Sequence, residues 1–238
     1  MFKTDAIVIK RTQALNNDVF LTLLTEHMGK LDVVANRAKL IKSPLAPASK
    51  LFVYGNFILD TKYKIPKVTS CDIIRSHYRL LDDYDALMYA TYFVEVINRT
   101  TQQGVSENDP FHLLLHLLDG LLQAGISKKF LRALFLVKLT AFMGWMPDLC
   151  ACSVCGTELA EPIYFEAALG PICSACGKTD PVDAKWIRLL NYLRLLPYER
   201  IPKANVPDPY LNLAIRHMEA FIRYHAELPP FDTAEYLI

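Results

Sequence analysis

The sequence predicts an α+β chain of more than one domain: a small five-stranded barrel, then an α-helical domain with a four-cysteine metal ribbon inserted among its helices. Three observations carry this reading. Short β-branched and aromatic runs fill the first 75 residues, amphipathic helical periods fill most of the rest, and five of six cysteines fall in two short stretches. At 238 residues and 52% apolar composition the chain has ample material for a packed core.

The strand runs are "AIVIKR", "VFLTLLTEH", "GKLDVVANRA", "KLFVYGNFILDTK" and "KVTSCDIIRS", separated by turn material at Asn16-Asn17, Met28-Gly29 and Tyr54-Gly55, with a "YKIPK" turn between the last two. Five strands in roughly seventy residues would leave open edges if they lay flat, so a closed barrel is the economical arrangement. Among such barrels the OB-fold is the usual nucleic-acid binder. The expected first domain is residues 1–77.

Beyond Ser76 the apolar period becomes helical. "LLDDYDALMYATYFVEVINRT" places Leu80, Tyr84, Leu87, Met88 and Thr91 on one stripe, with Asp82, Asp83 and Asp85 where a helix start favours negative charge. "NDPFHLLLHLLDGLLQAG" has Asp109 as cap, Pro110 at the first helical position and Gly125 as stop, and "SKKFLRALFLVKLTAFMGW" runs on from Ser127. "DAKWIRLLNYLRLLP" and "DPYLNLAIRHMEAFIRYHAEL" give two more helices. None is long enough to be stable alone, so a helical domain at 78–238 is expected, with a metal module at about 147–181 projecting from it.

"CACSVCGTEL" begins at Cys150 and "GPICSACGKTD" at Gly170. Cys152-x-x-Cys155-Gly156 and Cys173-x-x-Cys176-Gly177 are two copies of one turn, each aiming two sulfurs at one point. Together they supply the four thiolates of a tetrahedral structural zinc site, one ion per chain, with no open position for catalytic water. A metal-free relic and a redox dithiol are the alternatives. Cys150 is a spare thiol that could exchange with the Cys152 position, and Cys71 reads as a small buried apolar residue.

No apolar run approaches the ~18 residues of a membrane span, and the N-terminal run "AIVI" is too short for a signal-peptide core. A soluble cytoplasmic protein is the expectation, with no membrane partner. Residues 1 to 75 carry twelve lysines and arginines against six acids, whereas the remainder has fourteen against nineteen. A basic segment joined to an acidic one suits nucleic acid at one end and protein at the other.

Enzymatic constellations fail one by one. His112 and His116 have the spacing of paired metal ligands but lack the general-base Glu of HExxH, and His217 with Glu219 lacks the downstream cysteines of a deaminase. There is no phosphate-cradling glycine loop and no GxSxG turn. The chain is read as a non-enzyme. In "VVANRAKLIKSPLAPASK", Arg37, Lys39 and Lys42 lie on a loop closed by Pro44 and Pro47, a charge density suited to tracking phosphates. Lys10 and Arg11 end the first strand, and Lys62, Lys64 and Lys67 surround the last hairpin. Phe52, Tyr54 and Phe57 are either barrel core or faces for base stacking.

The order of these parts resembles the bacterial RecO recombination-mediator family. The resemblance rests on "TDAIVIKR", "LLTEHMGKLDVVANRAK", "LLDDYDALMYATYFVEVINR" and "FLRALFLVKLTAFMGWMPDLCACSVCG". It implies an N-terminal OB-fold, a helical domain and zinc ligands Cys152, Cys155, Cys173 and Cys176, with DNA contacts centred on Arg37, Lys39 and Lys42. It further implies binding of single- and double-stranded DNA, strand annealing, and loading of RecA with RecR, and often RecF, onto strands coated by single-stranded DNA-binding protein. For the acidic, apolar tail of that coat protein, Lys128, Lys129 and Arg132 at a helix start are the candidate contacts. The rival reading is a zinc-ribbon interaction scaffold with no physiological DNA ligand.

Overall fold

The computed structural model describes residues 1–105, 108–177 and 180–237. Five strands, β1 (Phe2–Gln13), β2 (Val19–Thr25), β3 (Gly29–Ala35), β4 (Tyr54–Asp60) and β5 (Lys67–Arg75), close into a barrel in the order β1-β2-β3-β5-β4. That order of five strands in a closed barrel is the OB-fold arrangement. Alternation explains the core. Val19, Leu21, Leu23, Val33, Ala35, Phe57, Leu59 and Val68 point inward and pack with Ala6 and Val8, while their strand neighbours face out. β1 reaches both β2 and β4, and a register shift between Val8 and Lys10 bends it as barrel closure requires. A short helix, α1 (Leu45–Ala48), occupies the segment read from sequence as a proline-closed loop.

Gly29 makes the β2–β3 turn. Its φ is +60°, and a Cβ there would lie 1.8 Å from the Val105 carbonyl oxygen, so no side chain fits.

The described residues divide into two compact units, Met1–Leu122 with Glu235–Leu237, and Gln123–Ala234. In the first, α2 (Tyr84–Thr100) and α3 (Asn108–Leu121) accompany the barrel. The Asp83 carboxylate caps α2 by accepting from the Ala86 N–H at 3.0 Å, whereas α3 begins one residue ahead of the cap expected at Asp109. The stripe predicted for α2 is corrected. Tyr84 is exposed and Leu87, Met88 and Thr91 are half-buried, while Ala86, Tyr89, Ala90, Tyr92, Phe93, Val96 and Ile97 are buried. The helix carries two apolar faces, and the one with three aromatic rings removes more surface from water.

His77 ties this unit together. It takes a left-handed conformation at φ +49°, with a side chain only 1% exposed. Its Nδ1 lies 2.7 Å from the Phe52 carbonyl oxygen and its Nε2 3.1 Å from Asp119 on α3, which also pairs with Arg75. Burial pushes the Asp119 carboxyl up, but the bonds from His77 and Arg75 outweigh it and hold it below its usual value.

In the second unit α4 (Lys128–Phe142), α5 (Ala184–Leu195) and α6 (Asp208–His225) pack together. Between α4 and α5 lies a small sheet of β6 (Ile163–Glu166), β7 (Gly170–Ile172) and β8 (Pro181–Val182), in the order β7-β6-β8. Phe165 of β6 stands edge-on to Trp186 of α5 at 5.0 Å between ring centres and lies against Phe221 of α6. The insertion therefore has an apolar foot on the helices.

Replacing Asp119 with Ala leaves the buried Nε2 of His77 without its partner, and should cost about 1–3 kcal/mol at neutral pH, read as a lower urea midpoint. Because the folded pKa is depressed, the carboxylate stabilises fully above the unfolded pKa of about 3.9, and this is lost as pH falls through the folded pKa. The gap between parent and Asp119→Ala should accordingly narrow in acid. Equal midpoints at neutral pH would contradict this role.

Candidate nucleic-acid interface and metal centre

Three loops meet at one end of the barrel. The β3–β5 pairing joins Val34 to Lys67, and the Val34 N–H donates to the Pro66 carbonyl at 2.9 Å. This brings the end of β3 against the β4–β5 loop. On the other side, the Arg37 N–H donates to Asp18 Oδ1 at 2.6 Å and the Lys39 N–H to the Asn17 carbonyl at 3.0 Å. The loop after β3 is thereby fastened to the β1–β2 loop. In OB-folds these two outer loops flank the oligonucleotide-binding face of β2 and β3.

The nominated cations differ in role. Arg37, at φ +53°, and Lys42 are exposed. Lys39 is half-buried, and its ammonium donates to the Ala14 carbonyl at 2.9 Å, so it fastens the loop while keeping its charge there. Lys62 and Lys64 are exposed on the β4–β5 loop, and the Lys67 ammonium stands 3.8 Å above the Tyr63 ring. Lys10 is exposed on β1. Arg11 lines an apolar hollow of about 480 Å³ with Pro47, Lys50, Leu51, Phe52, Ile73 and Tyr78, a lining that includes none of Arg37, Lys39 and Lys42.

The three aromatics read as either core or stacking faces are packed. Phe52 and Phe57 are buried, and Tyr54 lies edge-on to Phe111 with its hydroxyl donating to Asp5. Within residues 1–75 the exposed rings are Phe20, 42% exposed on β2, and Tyr63, 51% exposed on the β4–β5 loop. Phe20 stands in plain alternation between inward Val19 and Leu21, and that alternation is the sequence signal for its outward position.

At the start of α4 the cations already have partners. Arg132 is buried and donates to Glu219 at 2.7 Å, and Lys129 lies 3.4 Å from Asp208. His112 faces Glu26 at 3.4 Å, and His217 packs against Phe165 and Trp186. Neither joins a metal-ligating group among the described residues.

The four cysteines do converge. The Sγ atoms of Cys152, Cys155, Cys173 and Cys176 all lie within 4.8 Å of one another, and Cys155 and Cys173 are 3.7 Å apart. A tetrahedron with Zn–S bonds of 2.3 Å has edges of about 3.8 Å. Cys150 lies outside this cluster, exposed, with its N–H donating to Asp148. Both turns fold alike: the Gly156 N–H donates to the Cys152 carbonyl at 2.9 Å and the Gly177 N–H to the Cys173 carbonyl at 2.8 Å. The glycines serve different ends. Gly156 has φ +75°, whereas a Cβ on Gly177 would strike the Tyr164 ring at 2.4 Å.

Backbone N–H groups, those of Cys173 and Cys155 foremost, hold the Cys152 thiol down to about 6. Bonds from the Cys155 and Cys173 thiols push Cys176 up to about 12. Four sulfurs at this spacing cannot all ionise against one another, and a bound divalent cation removes that obstacle. The donor set thus fits a soft tetrahedral metal. The module expected at about 147–181 includes residues 178–179, which lie outside the described residues.

Residues 1–77 match the family described as "Recombination protein O N terminal", and residues 81–233 match "Recombination protein O C terminal". The chain belongs to the RecO family. Its relatives include the DNA repair protein RecO of Clostridium acetobutylicum, 29% identical with 96% of this chain and 94% of the relative covered. That of Alkaliphilus metalliredigens is 27% identical, with 99% and 98% covered. The family thus accounts for both compact units, the barrel and the ribbon-bearing helices. No helix among the described residues is long and apolar enough to cross a membrane.

Titrating a thiophilic divalent cation into the reduced, metal-free chain should show one equivalent bound. Cys176→Ala should lower this below one, and Cys150→Ala should leave it unchanged. Loss of binding in the Cys150 variant would redraw the ligand set.

Proposed function

We propose that this chain is a non-enzymatic mediator of recombinational DNA repair that binds single- and double-stranded DNA through the basic end of its barrel. The observation that carries this reading is the meeting of three loops at one rim, with Arg37, Lys42, Lys62 and Lys64 exposed there. Phosphates neutralised along that rim release counterions, which makes binding indifferent to sequence and steeply dependent on salt. Annealing then needs no bond chemistry. Two strands held on one protein have a raised local concentration, and base pairing supplies the free energy.

As partners we propose RecR, and also RecF, in loading RecA onto strands coated by single-stranded DNA-binding protein, a reading supported by membership of the RecO family. The four thiolates would hold one structural zinc ion, which cross-links the two cysteine turns and steadies the sheet whose Phe165 packs on α5 and α6. With all four positions taken by sulfur, no ligand position is left for water. For the acidic tail of that coat protein we propose Lys128, Lys129 and Arg132 at the start of α4, where Lys129 lies near the exposed Asp208 and Arg132 bonds Glu219.

A scaffold reading, in which the chain docks proteins and no DNA, draws on the apolar hollow beside α2, where Leu51, Ile73, Tyr78 and Leu81 stay exposed. Salt separates the two readings. In fluorescence anisotropy with labelled strands of several sequences, the triple Arg37→Ala, Lys39→Ala, Lys42→Ala variant should lose affinity for all of them alike. Its log affinity against log salt should flatten by up to about three contacts' worth of slope. Sequence-selective loss, or an unchanged slope, would favour the scaffold.

A further inference from the structure

On the outer face of the barrel, pairing aligns four residues across four strands: Thr12 opposite Phe20, Phe20 opposite Val34, and Val34 opposite Lys67. Their strand neighbours Val19, Leu21, Val33, Ala35 and Val68 are in the core, so alternation turns this row outward. Phe20 is a large ring on an open strand with 42% of its surface exposed. Two strand spacings away, about 10 Å between backbones, stands Lys67, whose ammonium is held 3.8 Å over the ring of Tyr63, itself 51% exposed. Beside the row lie Arg37 and Lys42 on the loop after β3, which the bonds to Asn17 and Asp18 keep near the start of β2.

A lone exposed phenylalanine on a strand is unremarkable. This one shares its row with Lys67, whose ammonium covers a second ring, and Asp60, the partner of Lys67 on β4, accepts from the Lys62 N–H. Asp32, two residues from Val34 along the same face, is already bonded by Thr22 and Gln103. An apolar ring flanked by phosphate-binding charge suits a ligand that alternates flat bases with phosphates.

We propose that Phe20 and Tyr63 are base-stacking platforms that give the barrel a preference for unpaired strands. This rests on the DNA reading above and goes beyond it, because phosphate contacts alone treat single and double strands by charge density only. Stacking requires a base whose face is open, and a duplex hides those faces. Lys67 holds the Tyr63 ring by a cation–π contact and offers its charge to the adjoining phosphate. The pair thus reads bases as flat surfaces, with no sequence requirement.

The test compares three labelled probes of equal length: an oligothymidine strand, the same backbone with abasic sites, and a blunt duplex. The parent should bind oligothymidine about tenfold or more tighter than the abasic strand. Phe20→Thr with Tyr63→Ser, both at exposed sites and checked by thermal melting, should lose that ratio while keeping its affinity for the abasic strand and its salt slope. Phe20→Tyr with Tyr63→Phe should retain the ratio, since the rings remain. An undiminished ratio in the ring-deleted variant overturns the stacking proposal and leaves the DNA reading standing. Equal loss on the thymidine and abasic strands overturns it too, by assigning the rings a merely structural part. Failure of the parent to bind any of the probes at low salt would sink both readings together.

Discussion

The barrel closes at Val34. Its pairing with Lys67, with its N–H bonded to the Pro66 carbonyl, joins β3 to β5 and turns an open meander into a cylinder. Antiparallel strands can pair through local hairpins, but this parallel contact joins segments more than thirty residues apart. Everything proposed for nucleic acid depends on it. The same closure fixes the β4–β5 loop beside the loop after β3, which hydrogen bonds then fasten to the β1–β2 loop. It also sets Phe20, Val34 and Lys67 in one row.

The two compact units solve stability by different means. Around the barrel an apolar interior and a buried polar link suffice, with His77 joining the Phe52 turn to Asp119 on α3. The ribbon has few apolar residues of its own, and small sheets of this kind are marginal without a cross-link. Four converging thiols supply a place for one, while Phe165 anchors the sheet on the helices. A metal there stabilises structure through the free energy of coordination rather than through burial.

How much of this could be read in the sequence follows from how local each feature is. The five strands and the cysteine turns were legible because alternation and the C-x-x-C spacing are written into a few adjacent residues. The stripe of α2 was misjudged because that helix is apolar on two sides, and tertiary packing chose the aromatic one. Phe57 is ambiguous in the sequence because a ring in a small barrel is core or platform according to parity, and only register decides parity. The meeting of the three loops could not be read at all, since it comes from the long-range β3–β5 contact. Nor could the pairing of Arg132 with Glu219, which joins helices separated by the whole ribbon.

The central claim is that nucleic acid lies on the β2–β3 face and the loops fastened around it. Backbone hydrogen exchange of the intact chain, with and without a saturating single-stranded oligonucleotide, tests this most directly. Slower exchange concentrated in β2, in the segment from Asn36 to Ser43 and in the loop from Thr61 to Pro66 is the predicted result. Protection confined to α4–α6 and the ribbon, with the barrel rim unchanged, would contradict it.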